Sequence, residues 1–448
     1  MIHSLHDKIE KKEAKICVIG LGQVGLPTAL TFCRSGYTVI GHDINKSLIS
    51  NLSSKKSPFY EPGLDNFLIE SVDSKKFLLT DNLVDAVEKS DVIIVCVATP
   101  ITTDIRPDLS YLENVCRSLS QFSLVNKLII IESSIPPGTF EGLVVPILTQ
   151  QNKLGTEFWA SFVPERLAPG HAFAEIQTTS RVIGYVDKDS GMLAKELYEK
   201  IVKGDVLLAP VQVAEISKLV ENTYRDVNVA FANEVSMICE EYGIDVSELI
   251  KICNSHPRVK LLSPGPGVGG PCLPKDPYLL LNPQGKKPII SRIILEARKI
   301  NDNMPFHVID LIKNEVESQQ RTLRGITVLI LGVAYKANVS DTRFSPAAEI
   351  ISQLIKNGST VQVFDPNTKE SFGGESISDM WESIKKSDVL VVLTDHDEFR
   401  KLDLKEIGKC IKENVILVDT RRVFNRHEVE NLGIKYVSIG CSIGSKHK

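Results

Sequence analysis

The 448 residues contain no Cys-x-x-Cys pair, no apolar run long enough to span a membrane and no surplus of positive charge. A membrane helix needs about 18 or more consecutive apolar residues, so no transmembrane segment is expected. The opening residues, which include His3, His6, Asp7, Lys8, Glu10 and Glu13, lack the apolar stretch of a signal peptide, and the chain is expected in the cytoplasm. With 52 Lys and Arg against 56 Asp and Glu, the net charge of -4 gives no global basic field to attract nucleic acid or an anionic membrane. The nine cysteines (Cys17, Cys33, Cys96, Cys116, Cys239, Cys253, Cys272, Cys410 and Cys441) are odd in number and mostly embedded in apolar runs. A disulfide framework and a metal site are therefore disfavoured.

What is present is an ordinary globular composition, 43% hydrophobic and 24% charged, over a length that suggests about three domains at roughly 150 residues each. Lys15–Gly20 reads as a strand running into a glycine turn, a helical stretch follows to Gly36, and Tyr37–Asp43 reads as a second strand. Apolar runs at Val92–Val97, Lys127–Ile131 and Phe158–Phe162 continue the alternation of a parallel, doubly wound α/β sheet. The rhythm returns after residue 322, with strands expected at Ile326–Gly332, Thr360–Asp365, Val389–Leu393 and Val415–Asp419 and a helix at Ala347–Lys356. Between them Val213, Ile216, Leu219, Val220, Thr223, Val227, Ala230, Phe231 and Val235 recur at helical spacing from Pro210 to Tyr242. That helix would span about 45 Å, enough to link domains and to offer a surface for self-association. A second helix is expected from Ser291 to Asn301, ending before Met304-Pro305. The reading is thus two Rossmann-like doubly wound α/β domains, 14–205 and 311–448, joined by a helical central domain at 206–310. Two such domains suggest two nucleotide-bearing ligands.

Gly20-x-Gly22-x-x-Gly25 has a strand before it and a helix after it, and Asp43 lies eighteen residues beyond Gly25 at the end of the second strand. These glycines let backbone N–H groups approach a pyrophosphate at a helix N-terminus, while Asp43 accepts from ribose hydroxyls and repels a 2′-phosphate. NAD is the expected cofactor; an ordinary tight turn is the plainer alternative. The Gly- and Pro-dense segment Ser263–Pro277 excludes a helix or central strand and places Cys272 beside Lys275 and Asp276. A cation there would favour the nucleophilic thiolate and the carboxylate could handle a proton, against the alternative of a buried, inert cysteine. Lys218 and Asn222 share a helix face with Arg225 one turn on, an arrangement equally suited to a solvated polar stripe. Glu132-Ser133-Ser134 and Pro164-Glu165-Arg166 follow candidate strands, at the edge where such sheets bind ligands. Asp395-His396-Asp397-Glu398 has metal-binding residue types, but its close spacing favours a plain loop.

Several long motifs in order resemble the nucleotide-sugar 6-dehydrogenase family over nearly the whole chain. They are G-L-G-Q-V-G-L-P at the start, V-A-T-P and P-D-L-S-Y at 97–111, E-S-S-I-P-P-G-T at 132–139 and A-E-I-S-K-L-V-E-N-T-Y-R-D-V-N at 214–228. H-P-R-V at 256–259, the Cys272 loop and G-V-A-Y-K-A-N-V-S-D-T-R at 332–343 complete the series. Within the family, P-E-R-x-x-P-G at 164–170 and P-G-P-G-V-G-G resemble the branch that oxidises UDP-N-acetylmannosamine. Pro271 and Lys275 depart from that branch, the lysine resembling the UDP-glucose branch, so UDP-glucose and UDP-N-acetylglucosamine are the alternative substrates.

The resemblance implies a four-electron oxidation at C6 with two NAD in succession, through a thiohemiacetal and a thioester on Cys272. Lys218 would assist proton removal and stabilise oxyanions with support from Asn222, Asp276 would lie near the catalytic water, and Glu165 and Ser134 would help orient it. Cofactor contacts would fall to Gln23, Val24, Asp43, Thr99, Ser134 and Arg343. The UDP-sugar would meet Arg166, Leu167, Lys218, Asn222, Arg225, His256, Arg258, Gly269, Tyr335, Lys336 and Arg421. A homodimer through the long helix is implied, with the His-Pro-Arg segment reaching a neighbouring subunit's substrate. A nucleotide-binding protein without chemistry is the rival from another class, and a single-step hydroxyacid dehydrogenase would leave Cys272 unexplained.

Overall fold

The computed structural model describes residues 2–167 and 169–441. The chain forms two compact units, one built from residues up to Glu221 together with Lys275–Ile290, the other from Asn222–Pro274 together with residues from Ser291 onward.

The first unit holds β1 (Lys15–Ile19), β2 (Thr38–His42), β3 (Phe77–Thr80), β4 (Val92–Val95), β5 (Leu128–Ile131), β6 (Trp159–Phe162), β7 (Arg181–Tyr185) and β8 (Val206–Pro210). They lie in the order β3-β2-β1-β4-β5-β6-β7-β8, parallel throughout except between β6 and β7. The central strands are buried at every residue because both faces are covered. Alternate residues supply two cores: Ile16, Val18, Ile94 and Ile130 pack on one face, and Cys17, Ile19, Ile93 and Ile129 on the other. Burial pushes the Cys17 and Cys116 thiols up to about 12, which fits packing rather than chemistry. The chain order reverses between β1 and β4, so the C-terminal ends of those strands border the crevice where doubly wound sheets bind ligands.

The second unit repeats this plan with β9 (Thr327–Leu331), β10 (Thr360–Phe364), β11 (Glu375–Ser376), β12 (Val389–Val392), β13 (Ile416–Asp419) and β14 (Lys435–Val437), ordered β11-β10-β9-β12-β13-β14. Gly20 after β1 and Gly332 after β9 both take positive φ, +91° and +84°. A Cβ on either would press within 2.7 Å of an atom at the end of the neighbouring strand, Cys96 O or Thr394 Cβ. The acids that end the second strands also correspond: Asp43 accepts from the Leu21 and Asn45 amides, Asp365 from those of Val333, Ala334 and Asn367. Asp365 is further bonded to the buried His396 at 3.1 Å, so the histidine of the acidic tract is a structural partner at the start of the helix Asp397–Arg400.

The long helix runs Val211–Tyr242, and the border between the units falls within it, after Glu221. The expected stop before Pro305 is corrected: one helix spans Ile293–Ser318 with that proline inside. An interior proline costs about 3 kcal/mol, and here Met304, Pro305, Val308 and Ile312 are all buried, so core packing outweighs the lost hydrogen bond. The loop expected to reach Pro277 ends earlier, because Asp276 and Pro277 open the helix Asp276–Leu281 at positions where a proline amide is not needed. No helix among the described residues is long and apolar enough to cross a membrane.

Candidate functional site

The three glycines of the first turn are required for different reasons. A Cβ on Gly25 would lie 1.9 Å from Gly20 O, so the turn closes against the helix only without a side chain. Around Gly22 nothing lies within 4 Å of where a Cβ would stand, which leaves its backbone open to an approaching ligand. Beyond it the helix Gly25–Arg34 begins at Val24, which supplies no side-chain cap. Asp43 accepts one amide bond on each oxygen and keeps further lone pairs for ribose hydroxyls. This glycine turn, uncapped helix start and carboxylate fit a dinucleotide, with Gly20, Gly22, Gln23, Val24 and Gly25 forming the phosphate end.

At the C-terminal ends of β4 and β5 a second group assembles. Thr99 donates to Ser134 O at 2.6 Å, Ser133 donates to Val97 O at 2.7 Å, and Lys275 donates to Thr99 O at 2.8 Å. Lys275, read as the cation for Cys272, is thus committed to Thr99 and lies 3.7 Å from Asp276, which is fully buried. Glu165 is 7% exposed, and burial pushes its carboxyl up to about 7, with Lys218 and Arg181 drawing it partly back. Lys218, 5% exposed, is therefore a buried lysine within electrostatic reach of a buried acid, not part of a solvated stripe. Arg166 forms a two-pronged pair with Glu221, at 3.0 and 2.5 Å, and donates to Ser180 O, which fixes its guanidinium; Leu167 packs against the core.

In the second unit the glycine loop is tightly seated. The Gly265 amide donates to Asn233, whose amide donates to Asn301, which in turn holds Asp226, and all three side chains are buried. A Cβ on Gly269 or Gly270 would come within 2.7 Å of Tyr335, and one on Gly265 within 2.6 Å of the Arg421 guanidinium. Burial pushes the Tyr335 phenol up, with Asp341 and the half-buried Cys272 adding to the shift. The hydrogen bonds that Arg343 donates to Asp341 raise its guanidinium, and Cys272 acts in the same direction, so Cys272, Tyr335 and Arg343 share one electrostatic neighbourhood. Asn222 is buried, Lys336 is half-buried, and Arg225, His256 and Arg258 are exposed. Sequence reasoning did not single out Asn233, Asn301, Glu61 or Glu215. Glu61 accepts from the Gly170 and Ala172 amides at 2.6 and 2.8 Å and so holds the segment after Arg166 and Leu167. The quoted A-E-I-S-K motif already contained Glu215, three residues before Lys218.

A sheet with its dinucleotide turn at the switch point, an acid on the second strand and a buried lysine–carboxylate pair define an NAD-dependent dehydrogenase. Residues 14–202 match the NAD-binding domain of the UDP-glucose/GDP-mannose dehydrogenase family, 212–303 its central domain and 329–426 its UDP-binding domain. The chain belongs to this family and is an NAD-dependent UDP-sugar dehydrogenase. A UDP-N-acetyl-D-mannosamine dehydrogenase of Pyrococcus horikoshii is 39% identical over 417 residues, covering 93% of this chain and 97% of that protein. An NDP-N-acetyl-D-galactosaminuronic acid dehydrogenase of Ralstonia solanacearum is 34% identical, covering 92% and 96%. The solved structure of a UDP-D-ManNAc dehydrogenase from Pyrococcus horikoshii superposes with a TM-score of 0.87 at 37% identity, covering 95% of this chain and 99% of that one.

Proposed function

We propose that the protein oxidises the C6 hydroxyl of UDP-N-acetyl-D-mannosamine to the carboxylate, giving UDP-N-acetyl-D-mannosaminuronate. Bound NAD+ would accept a hydride from C6 in each of two rounds. Lys218 would take part in removing the hydroxyl proton and would then stabilise the oxyanion with Asn222. The Cys272 sulfur would add to the aldehyde carbon to form a thiohemiacetal, loss of the second hydride would leave a thioester, and water would release the acid and restore the thiol. Asp276 and Glu165 would orient that water. Thr99, Ser134 and Arg343 are proposed to contact the cofactor, and Arg166, Leu167, Gly269, Tyr335, Lys336 and Arg421 the UDP-sugar, with Arg225. Residues 14–205, 206–310 and 311–448 would then serve cofactor binding, catalysis with self-association, and UDP binding.

The observation that carries the cysteine's role is its setting. Cys17 and Cys116 are sealed in the cores, whereas Cys272 is half-buried on a braced loop within electrostatic reach of Arg343. The choice of sugar is supported by the names and extents of the relatives. Purified protein given UDP-N-acetylmannosamine, UDP-glucose and UDP-N-acetylglucosamine in turn tests both: the first should react fastest and yield two NADH per sugar, and Cys272→Ser should abolish complete turnover. One NADH with free aldehyde would overturn the double oxidation. Faster reaction with UDP-glucose would give weight to Lys275 over the relatives' names.

A homodimer through the long helix is supported by its exposed apolar row. Val213, Ile216, Val220, Tyr224, Phe231, Ile238 and Tyr242 are 40–73% exposed and recur at spacings of three, four and seven. That spacing is the seam of a helix pair. His256 and Arg258, both exposed, would reach the neighbouring subunit's sugar.

A further inference from the structure

We infer that Glu215 is a positioning residue that holds the cofactor-contacting turn after β5 in register with Lys218, an assignment that rests on the proposed roles of Ser134 and Lys218. Glu215 lies on the long helix and is 1% exposed. Its two carboxylate oxygens accept from the backbone amides of Gly138 at 2.7 Å and Phe140 at 2.8 Å. Burial pushes the Glu215 carboxyl up to about 7 and the Phe140 and Gly138 amides draw it partly back, so these two bonds carry its stabilisation. A buried acid whose two oxygens each receive a backbone amide, an arrangement that an amide side chain of the same shape cannot reproduce, points to a geometric requirement.

The segment it grips is fixed at both ends. Ser133 is bonded to Val97 O and Ser134 O to Thr99 at the sheet edge, Pro137 O accepts from Gln284, and Glu215 closes the far end. Gly138 has φ +85°, a left-handed turn that brings its own amide and that of Phe140 toward one carboxylate. Glu215 and Lys218 are three residues apart in one helix and so face the same side. A single rigid helix turn therefore ties the placement of Ser134 to that of Lys218. Helix capping at Phe140 would need only one acceptor, and Glu215 supplies two to successive parts of the turn.

The test uses the full chain with NAD+ and with UDP as separate probes by calorimetry. Glu215→Gln keeps the shape but replaces one acceptor with a donor facing an N–H group. NAD+ affinity is expected to fall about tenfold or more, the loss typical of one charge-assisted hydrogen bond, while UDP affinity stays within twofold. Glu215→Asp, which keeps the charge but draws it back, is expected to weaken NAD+ binding less, and it provides the reading should the glutamine variant not fold. The effect should also be non-additive with that of Ser134→Ala, since both act through one turn. Unchanged NAD+ affinity in a folded variant, or equal loss of NAD+ and UDP binding, would overturn the assignment. If the wild type binds NAD+ and the variants behave as stated while UDP-N-acetylmannosamine is not oxidised, the sugar assignment fails and the positioning role stands.

Discussion

Gly22→Ala and Gly25→Ala are expected to fail in opposite ways, although both remove a glycine from the same turn. At Gly22 the added methyl meets nothing within 4 Å and the backbone φ is not in the left-handed region, so the folded chain accepts it. Restricting the unfolded chain should then raise stability by about 0.4–1 kcal/mol, roughly 1–4 °C in melting temperature for a unit of this size. The same methyl occupies the approach to the amides that would receive a pyrophosphate. Displacing the ligand costs about 1–3 kcal/mol in overlap, and each weakened charge-assisted bond about 1.5–3 kcal/mol, so NAD+ affinity should drop by about 10² to 10⁴. At Gly25 the methyl would lie 1.9 Å from Gly20 O, a backbone atom that cannot swing away. That overlap should cost about 3 kcal/mol or more and lower the melting temperature by roughly 6–12 °C. Differential scanning calorimetry and NAD+ titration of the two variants decide the matter. A Gly22→Ala protein that binds NAD+ as the wild type does, or that melts as low as Gly25→Ala, would refute the reasoning.

Asp43→Ala should weaken NAD+ binding by about ten- to a hundredfold and narrow the preference over NADP, as one charge-assisted bond is lost; an unchanged NAD+ KM would place the ribose contact elsewhere. The Glu165 carboxyl titrates about 7 in the folded chain against an ordinary 4.5, so folding takes up a proton between these pH values and stability falls as pH rises through that window. Glu165→Gln should therefore be more stable than wild type by about 3 kcal/mol at pH 8, with the difference vanishing toward pH 4; denaturant midpoints that differ equally at both pH values would show another cause. Phe231→Glu, placing a charge in the exposed row of the long helix, should convert a dimer to monomers in light scattering; an unchanged mass would move the interface elsewhere.

The central strands were legible because a strand covered on both faces must be apolar throughout, as in Val92–Val95 and Leu128–Ile131. The edge strands were not. Val206–Pro210 and Lys435–Val437 alternate little and are partly exposed, and Glu375–Ser376 has two residues; β7, next to the edge, opens on Arg181, buried at 1% only in its tertiary setting. The helix Ile2–Glu10 was missed for a similar reason: of its nine residues Leu5 and Ile9 are buried, with Ile2 packed beside them. In the site, Gly20, Gly22, Gly25 and Asp43 could be read because a turn and its neighbouring strand are close in sequence. Glu215, Glu61 and Asn233 could not, since the amides they hold at Gly138, Gly170 and Gly265 are dozens of residues distant. The continuation through Pro305 escaped reading because local propensity opposed it and burial prevailed.

The chain carries its own version of the Gly22→Ala experiment. In the turn after β9 the place of Gly22 is taken by Ala334, a buried residue, and the place of Gly25 by Ala337. The acid opposite that turn, Asp365, spends on His396 and three amides the lone pairs that Asp43 leaves available. A protein with two copies of one nucleotide scaffold faces the hazard of loading the same ligand twice. Here the second copy is closed to a dinucleotide by a methyl group and a histidine, so NAD+ should saturate at one per chain, leaving that sheet to a different nucleotide.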